Sequence, residues 1–437
     1  MLIINFKKYI SVLFSIFFLI TGCHTVNPIN SNGGFSFAPA SSQITFTSGS
    51  VWLRTDNAAS LHVEYSKSRN FTQSKFTKTI ESTSQSDFTS IHNLKNLLPD
   101  TEYFYRGVIR NEIKMGSPIY SSVGRFRTPS EKADSFRFAI SGDTIAKFQP
   151  FDLFNKMREK KPDFFIYLGD TIYADYPSKE FIPVLSHYRS KYRENREDQP
   201  LQEFLKNVPV YAVWDDHEVE NNFDSSWGAQ IAVGRQAFRE YWPVKSKEKT
   251  KLYYTFSWSP LADFFILDTR QFRSEKKDEI GHTPEATMLG IKQKEWFKKE
   301  LSKSKSPFKF VISSVPFNTY KKTDKWSDYV SERNEIKDYI KKNNINGVIT
   351  LSADLHKAIA FSKEGRKTRE YIVGPIAAKK NCSRKNYYES KGYFFMCDSY
   401  NYLLIHVSKE EDKSTAEVKY FDEKNTLRFR EKFTADE

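Results

Sequence analysis

Asp143, Asp170, the pair Asp215 and Asp216, and Asp354 share a position in the sequence: each follows closely on a short, almost continuously apolar run. The runs are Phe136–Ile140, Phe164–Leu168, Val210–Trp214 and Val348–Leu351, and such runs read as strands buried on both faces. In open α/β sheets the carboxyl ends of the strands form the ligand crevice, so carboxylates far apart in sequence can meet there. A single Asp after a strand is an ordinary turn or N-cap residue. Four such places are more than that, because His217 stands beside Asp216, His356 two residues after Asp354 and Tyr173 three residues after Asp170. Together they make an oxygen-and-imidazole set suited to divalent and trivalent metal ions. Two ions about 3.5–4 Å apart need a bridging carboxylate, supply hydroxide near neutral pH and stabilise both oxygens of an in-line displacement at phosphorus. The chemistry expected is phosphoester hydrolysis at a dinuclear centre.

The elements that must position these residues change character along the chain. From Ser42 to Thr128, short alternating runs such as Val51–Arg54, Leu61–Tyr65 and Tyr103–Val108 are separated by polar turns, as in an all-β sandwich. Leu97, Pro99, Thr101 and Tyr103 form an alternating pattern that resembles the tyrosine corner of fibronectin type III and immunoglobulin-like sandwiches. Beyond Thr128, apolar strands alternate with amphipathic stretches; Phe151, Phe154 and Met157 recur at helical spacing, and Phe264–Leu267 and Phe310–Ser313 are further strands. That is an α/β domain. The expected organisation is a leader over 1–22, a flexible stalk over 23–42, a β-sandwich over 43–128 and a catalytic domain over 134–437. In that domain Asn401–Val407 and Ala416–Phe421 should close the sheet as edge strands, with Asp422–Glu437 a solvated tail.

Composition agrees with a folded, exported protein. The 437 residues are 39% hydrophobic and 28% charged, which excludes a disordered chain, and the mean hydropathy of −0.61 excludes a polytopic membrane protein. The net charge of +13 suits an anionic partner, but it is spread along the chain without a dense basic block, which disfavours nucleic acid. Lys7 and Lys8 precede the apolar run Tyr9–Ile20, which is short for a membrane span and reads as a secretory signal. Ile20-Thr21-Gly22-Cys23 then resembles a bacterial lipobox, so Cys23 is expected to carry lipid and tether the protein to a membrane. The two remaining cysteines, Cys382 and Cys397, would form either a disulfide worth about 3 kcal/mol or two buried thiols.

The chemistry-bearing motifs resemble those of a known family. Gly169-Asp170-Thr171-Ile172-Tyr173 is similar to the GDxxY element of calcineurin-like metallophosphoesterases and purple acid phosphatases. Trp214-Asp215-Asp216-His217-Glu218 resembles the DDHE variant of their next element. With Leu267–Arg273, the Met288–Phe297 stretch and Ser352-Ala353-Asp354-Leu355-His356, the chain resembles the PhoD-like alkaline phosphatases and phosphodiesterases from about Val51 to His356. The fold implied is multi-domain: an immunoglobulin or fibronectin III-like sandwich, then an α/β metallophosphoesterase domain of two mixed sheets flanked by helices.

Carried over to these positions, the resemblance makes Asp170 the bridging ligand, with Asp143, Tyr173 and His356 at a first metal and Asp216 and Asp354 at a second. A phenolate ligand implies Fe3+ at the first and oxygen ligation Ca2+ at the second, with Zn2+ or Mn2+ as alternatives. His217 would protonate the leaving group or hold a phosphoryl oxygen, and Arg270 would either fork onto phosphate or pair with acidic groups. Asn221 is a candidate ligand or phosphate donor. The implied protein is an enzyme of the bacterial cell envelope, lipid-anchored on the periplasmic or outer-membrane side, acting on a small or polymeric phosphate ester. A catalytically silent binding lipoprotein is the alternative. Two departures stand out: Ser141-Gly142-Asp143-Thr144 lacks the Cys that well-known members carry, and Ala353 stands where the family has Gly. Arg189 and Arg193, one helical turn apart, read as a solvated helix face near the mouth of the site.

Overall fold

Three neighbouring parallel strands, Ser135–Ser141, Phe164–Leu168 and Val210–Val213, bring three of the acidic turns to one edge of a sheet. They are the middle of a nine-stranded mixed sheet. On one side it continues antiparallel through Asn401–Glu410, Lys413–Asp422 and Leu427–Thr434; on the other Ala40–Ser42 adds in parallel, followed antiparallel by Ser48–Arg54 and Thr89–Lys95. A second, seven-stranded sheet has the parallel run Ala262–Ile266, Phe308–Ile312, Val348–Ser352 and Arg369–Ile372 at its centre. The computed structural model describes residues 34–110, 117–246, 248–275, 285–318, 324–361 and 369–436. The expected signal, Cys23 and the expected stalk as far as residue 33 lie outside them, while the rest of that expected flexible stalk, 34–42, is instead packed, ending in the buried strand Ala40–Ser42 paired on both sides.

The two large sheets are joined by an aromatic core, which is where much of the phenylalanine goes. Phe138 stacks on Phe164 at 5.1 Å, and both meet Phe264 edge-on at 5.2 and 5.3 Å. Phe264 stacks in turn on Phe256 at 4.6 Å and on Phe310 at 5.1 Å. Such offset and T-shaped contacts add to the burial term. The outer faces are covered by helices: Leu153–Glu159, Leu185–Arg196, Gln199–Asn207 and Gly228–Tyr241 on the nine-stranded sheet, Gly290–Lys303 and Val330–Lys342 on the other.

The all-β half is present, but its strands divide between two sheets. A six-stranded sheet built on Ala59–Ser66 and Glu102–Ile109 forms one layer. In it Tyr103 accepts the Leu98 N–H at 3.0 Å, the upstream backbone bond of a tyrosine corner. The facing strands, however, belong to the nine-stranded sheet, because Ala40–Ser42 pairs parallel with Val210–Val213 at Ser42 and Val210. The expected boundary at 128–134 therefore does not divide this sheet, and Gly34–Glu437 is one compact unit.

Side chains reinforce the join. Arg193 pairs with Asp87 at 2.7 Å, and Arg189 pairs with Glu240 at 2.7 Å while donating to the backbone carbonyls of Ser84 and Gln85. The two arginines expected to face solvent thus clamp the β-rich half to the helical layer, since a guanidinium can reach several acceptors at once. The expected tail also differs: Leu427–Thr434 is the edge strand, held because Phe429 and Phe433 pack on Phe394, Tyr420 and Phe308. Cys382 and Cys397 form a disulfide.

Phe264 touches aromatic rings from both sheets, so Phe264→Ala should cost about 3–5 kcal/mol of stability. Urea unfolding checks this, and a loss below about 1 kcal/mol would show that the sheets are held together elsewhere.

Candidate metal centre

Both sheets offer their carboxyl ends to the same place. Asp143, Asp170 and Asp215–Asp216 come from the nine-stranded sheet; Arg270, Ser314, Asp354 and His356 come from turns after strands of the seven-stranded one. Asp143, Asp170, Asp354 and His356 all have left-handed backbones, with φ of 64°, 48°, 66° and 53°. Each such residue costs of order 1 kcal/mol and persists only where the surroundings fix it. Gly169 is needed here for two reasons: its φ is 79°, and a Cβ would lie 2.6 Å from that of Asp215. Ala353 is not among the left-handed residues and is fully buried, so its departure from Gly carries no backbone penalty. Gly142 is intolerant as well, since a Cβ there would come 2.7 Å from the Leu168 carbonyl oxygen.

Potential ligand atoms fall into overlapping groups within 4.8 Å: Asp143, Asp170 and His356; Asp170, Asp216 and His217; Asp215, Asp216 and Asp354. Asp170 is common to the first two and Asp216 to the last two, so the acidic cluster is continuous. Tyr173 joins it through a 2.8 Å hydrogen bond between its hydroxyl and His356 Nε2. His356 Nδ1 donates to the Lys379 carbonyl at 2.6 Å, which leaves the Nε2 lone pair facing the cluster, the tautomer a metal ligand requires. Burial lowers its pKa to about 4 and so keeps it neutral.

The donor set fits a metal. Asp143 is 1% exposed, and neither of its carboxylate oxygens has a hydrogen-bond partner. Burial, then the charges of Asp354, Asp215 and Asp216, push its carboxyl well above the usual range; burial, then Asp216, Asp215 and Asp143, do the same to Asp170. Burial and the Asp170 and Asp143 charges likewise raise the Tyr173 phenol. A cation among these groups would remove the conflict.

His217 stacks on the Tyr173 ring at 4.0 Å and bonds Asp175 through Nδ1 at 2.6 Å. Burial opposes its protonation, but Asp216 and the Asp175 bond outweigh it and raise the pKa to about 9. Glu218 is fully buried and accepts from the backbone N–H groups of Asp170, Thr171 and Asp215 at 3.1, 2.6 and 2.7 Å. One carboxylate thus ties two ligand turns together. Asn221 is exposed, and its backbone N–H bonds Asp175 at 2.9 Å.

Arg270 corrects one expectation. It is fully buried, donates to Asp215 through Nε and to Asp324 at 2.7 Å, and lies 3.5 Å from Asp216 and 3.4 Å from Asp354. With its donors turned onto carboxylates it is not a phosphate fork; of the two readings open to it, the structure takes the ion pair. Burial opposes ionisation of Asp216, yet Arg270 holds its pKa down to about 2. Asp175, Asp324, Lys325 and Ser314 belong to the site although no sequence motif singled out such roles. Only Asp175 had a signal, lying five residues beyond Asp170.

Comparison with known proteins agrees with this geometry. A sequence model of the PhoD-like phosphatases matches residues 138–395, and one of the N-terminal domain of PhoD-like phosphatases matches residues 24–130. Alkaline phosphatase D of Bacillus subtilis (strain 168) is 26% identical over 337 residues, 65% of this chain and 56% of that protein. The matched stretch thus spans little more than half of the relative. A solved structure of PhoD superposes with a TM-score of 0.81 at 21% identity, covering 94% of this chain and 92% of that one. The purple acid phosphatase of yellow lupin (Lupinus luteus) seeds gives 0.64 at 15% identity, over 92% and 75%. At these identities the likeness to solved structures is one of fold.

The His217–Asp175 pair makes a pH-dependent prediction for metal-free protein. A raised histidine contributes stability that is complete below its ordinary pKa near 6.5 and is lost as pH rises through about 9. Asp175→Asn should therefore cost on the order of 1 kcal/mol at pH 6 and much less at pH 10. Denaturation in chelator at both pH values checks it; an equal cost at the two would sink the assignment.

Proposed function

This chain belongs to the PhoD-like phosphatase family, and from that premise we propose that it is a metal-dependent phosphoesterase that hydrolyses phosphodiesters and also monoesters. The observation that carries the reading is the buried acidic cluster in which Asp143 has no partner for either oxygen. In this reading the centre is dinuclear, with Asp170 shared between Asp143, Tyr173 and His356 on one side and Asp216 and Asp354 on the other. A phenol among the ligands favours Fe3+ on the first side, and carboxylate oxygens favour Ca2+ on the second, with Zn2+ or Mn2+ as substitutes. Ions held there would lower the pKa of water and polarise a phosphoryl oxygen.

The other steps fall to the protein's own groups. Asp175 orients the His217 ring and favours its protonated form, so that Nε2 can deliver a proton to the departing alkoxide oxygen. Glu218 fixes the spacing of the turns that carry Asp170 and Asp215. Asn221, one turn beyond His217, is available to donate to a phosphate oxygen. With Arg270 sealed inside, substrate phosphate meets positive charge from the held ions and from His217. No helix among the described residues is long and apolar enough to cross a membrane, and the lipidated Cys23 supplies the tether in this reading. It would place the enzyme in the bacterial cell envelope, on the periplasmic or outer-membrane side.

Protein lacking Met1–Thr21 should hydrolyse chromogenic phosphodiesters and monoesters and contain about two metal ions per chain. Asp170→Ala should lower turnover by about 100-fold or more together with metal content. Turnover that survives Asp170→Ala, or metal content without turnover on either ester, would overturn the reading. In the full chain, incorporation of labelled palmitate that is lost in Cys23→Ala tests the tether.

A further inference from the structure

The two halves of the acidic cluster are neutralised differently. No lysine or arginine of the described residues lies within ion-pair distance of Asp143 or Asp170; the basic groups near them are two histidines, His356, whose Nε2 is 3.7 Å from Asp143, and His217, grouped with Asp170 within 4.8 Å. Asp216 and Asp354 are already furnished with protein cations. Arg270 lies 3.5 Å from one and 3.4 Å from the other, and the Lys325 ammonium forms an ion pair with the second oxygen of Asp354, which makes no hydrogen bond. Arg270 is a fixed part of the wall, since Asp215 and Asp324 hold it and Arg273 holds Asp324 in turn.

Lys325 is built differently. Its backbone is fixed by the next residue, Trp326, which is fully buried and donates from Nε1 to Ser313 at 3.1 Å. The ammonium stands at the end of a four-carbon stem, and its other carboxylate partner is Asp324 at 3.3 Å. At 8% exposure it has little water to fall back on. A lysine is a compact point charge that can swing aside, whereas a forked guanidinium is committed to its geometry. The oxygen of Asp354 that Lys325 holds is one that a metal at this half would need.

We propose that Lys325 is the resident cation of the Asp216–Asp354 half: it stabilises Asp354 while no ion is bound there and must leave that oxygen before an ion can bind. The inference rests on the reading of the cluster as a two-ion centre. It makes the two positions unequal. The Asp143–Asp170–His356 position binds tightly because no lysine or arginine competes, and the Asp216–Asp354 position fills and empties with the surrounding divalent cation concentration. Hydrolysis would then be regulated by the ions available outside the cell rather than by a permanently loaded centre.

The test is titration of chelator-stripped, folded protein with Mn2+, following the free ion by electron paramagnetic resonance. The wild type should show one tight and one weak class of site, their affinities differing by at least about tenfold. Lys325→Met should tighten the weak class by about 10- to 100-fold and leave the tight class unchanged, while Lys325→Arg should keep it weak. Two equal classes in the wild type would overturn the proposal, and that measurement needs no variant. Equal effects of Met and Arg would overturn it as well, because shape rather than charge would then be responsible. These outcomes differ from failure of the two-ion phosphatase reading, which would appear as loss of the tight class or as absent ester turnover.

Discussion

The carboxylates of Asp143, Asp170, Asp215, Asp216, Asp324 and Asp354 crowd into a space that water hardly enters, and their mutual repulsion is the constraint to which the rest of the site answers. Burying one unpaired carboxylate costs several kcal/mol, and burying several together would not be tolerated by a domain of ordinary stability. The protein supplies part of the compensation itself through Arg270, Arg273 and Lys325, all turned toward Asp215, Asp216, Asp324 and Asp354. Among the described residues no lysine or arginine does the same for Asp143 and Asp170. A residual negative field centred on those two is therefore built into the fold, and a metal ion is the natural group to complete it.

Holding such a field in place requires a rigid frame. Four of the site residues have left-handed backbones, which relax unless the surrounding structure over-determines them. The rigidity comes from the aromatic interface between the two sheets and from Glu218, whose two oxygens serve three backbone N–H groups of two ligand turns. Packing fixes the sheets, the sheets fix the turns, and the turns fix the charges. The strain at the ligand residues is the cost of this order, and the cost is met outside the site.

The acidic turns were legible in the sequence because strand burial and turn chemistry are local: an apolar run followed by Gly-Asp or Asp-Asp-His announces itself within about ten residues. The convergence of Asp143, Asp170 and Asp216 followed from the rule that parallel strands share a carboxyl edge, whereas Asp354 and His356 reach the same place from the second sheet. Arg270, Lys325 and Asp324 were harder to place, since their roles depend on which carboxylate lies opposite, a fact of tertiary geometry that no spacing encodes. The same limit applies to Arg189 and Arg193, whose helical spacing is correct but whose partners, Glu240 and Asp87, are remote in sequence. The edge strand Leu427–Thr434 was obscured by its charged alternation, which is what an exposed edge needs to avoid pairing with another chain.

Strand pairing also changes what the N-terminal half is for. Ala40–Ser42 lies against Val210–Val213, the strand that ends in Asp215 and Asp216, and it covers what would otherwise be a bare edge beside the site. Trp52 donates to the Glu240 carbonyl at 2.8 Å, and Tyr105 donates to that of Lys206 at 3.1 Å. Residues that begin as one layer of a sandwich thus end as part of the frame that positions a ligand turn. A freely hinged accessory module would not bury its own strands in the catalytic sheet. The β-rich half is better understood as a structural extension of the site.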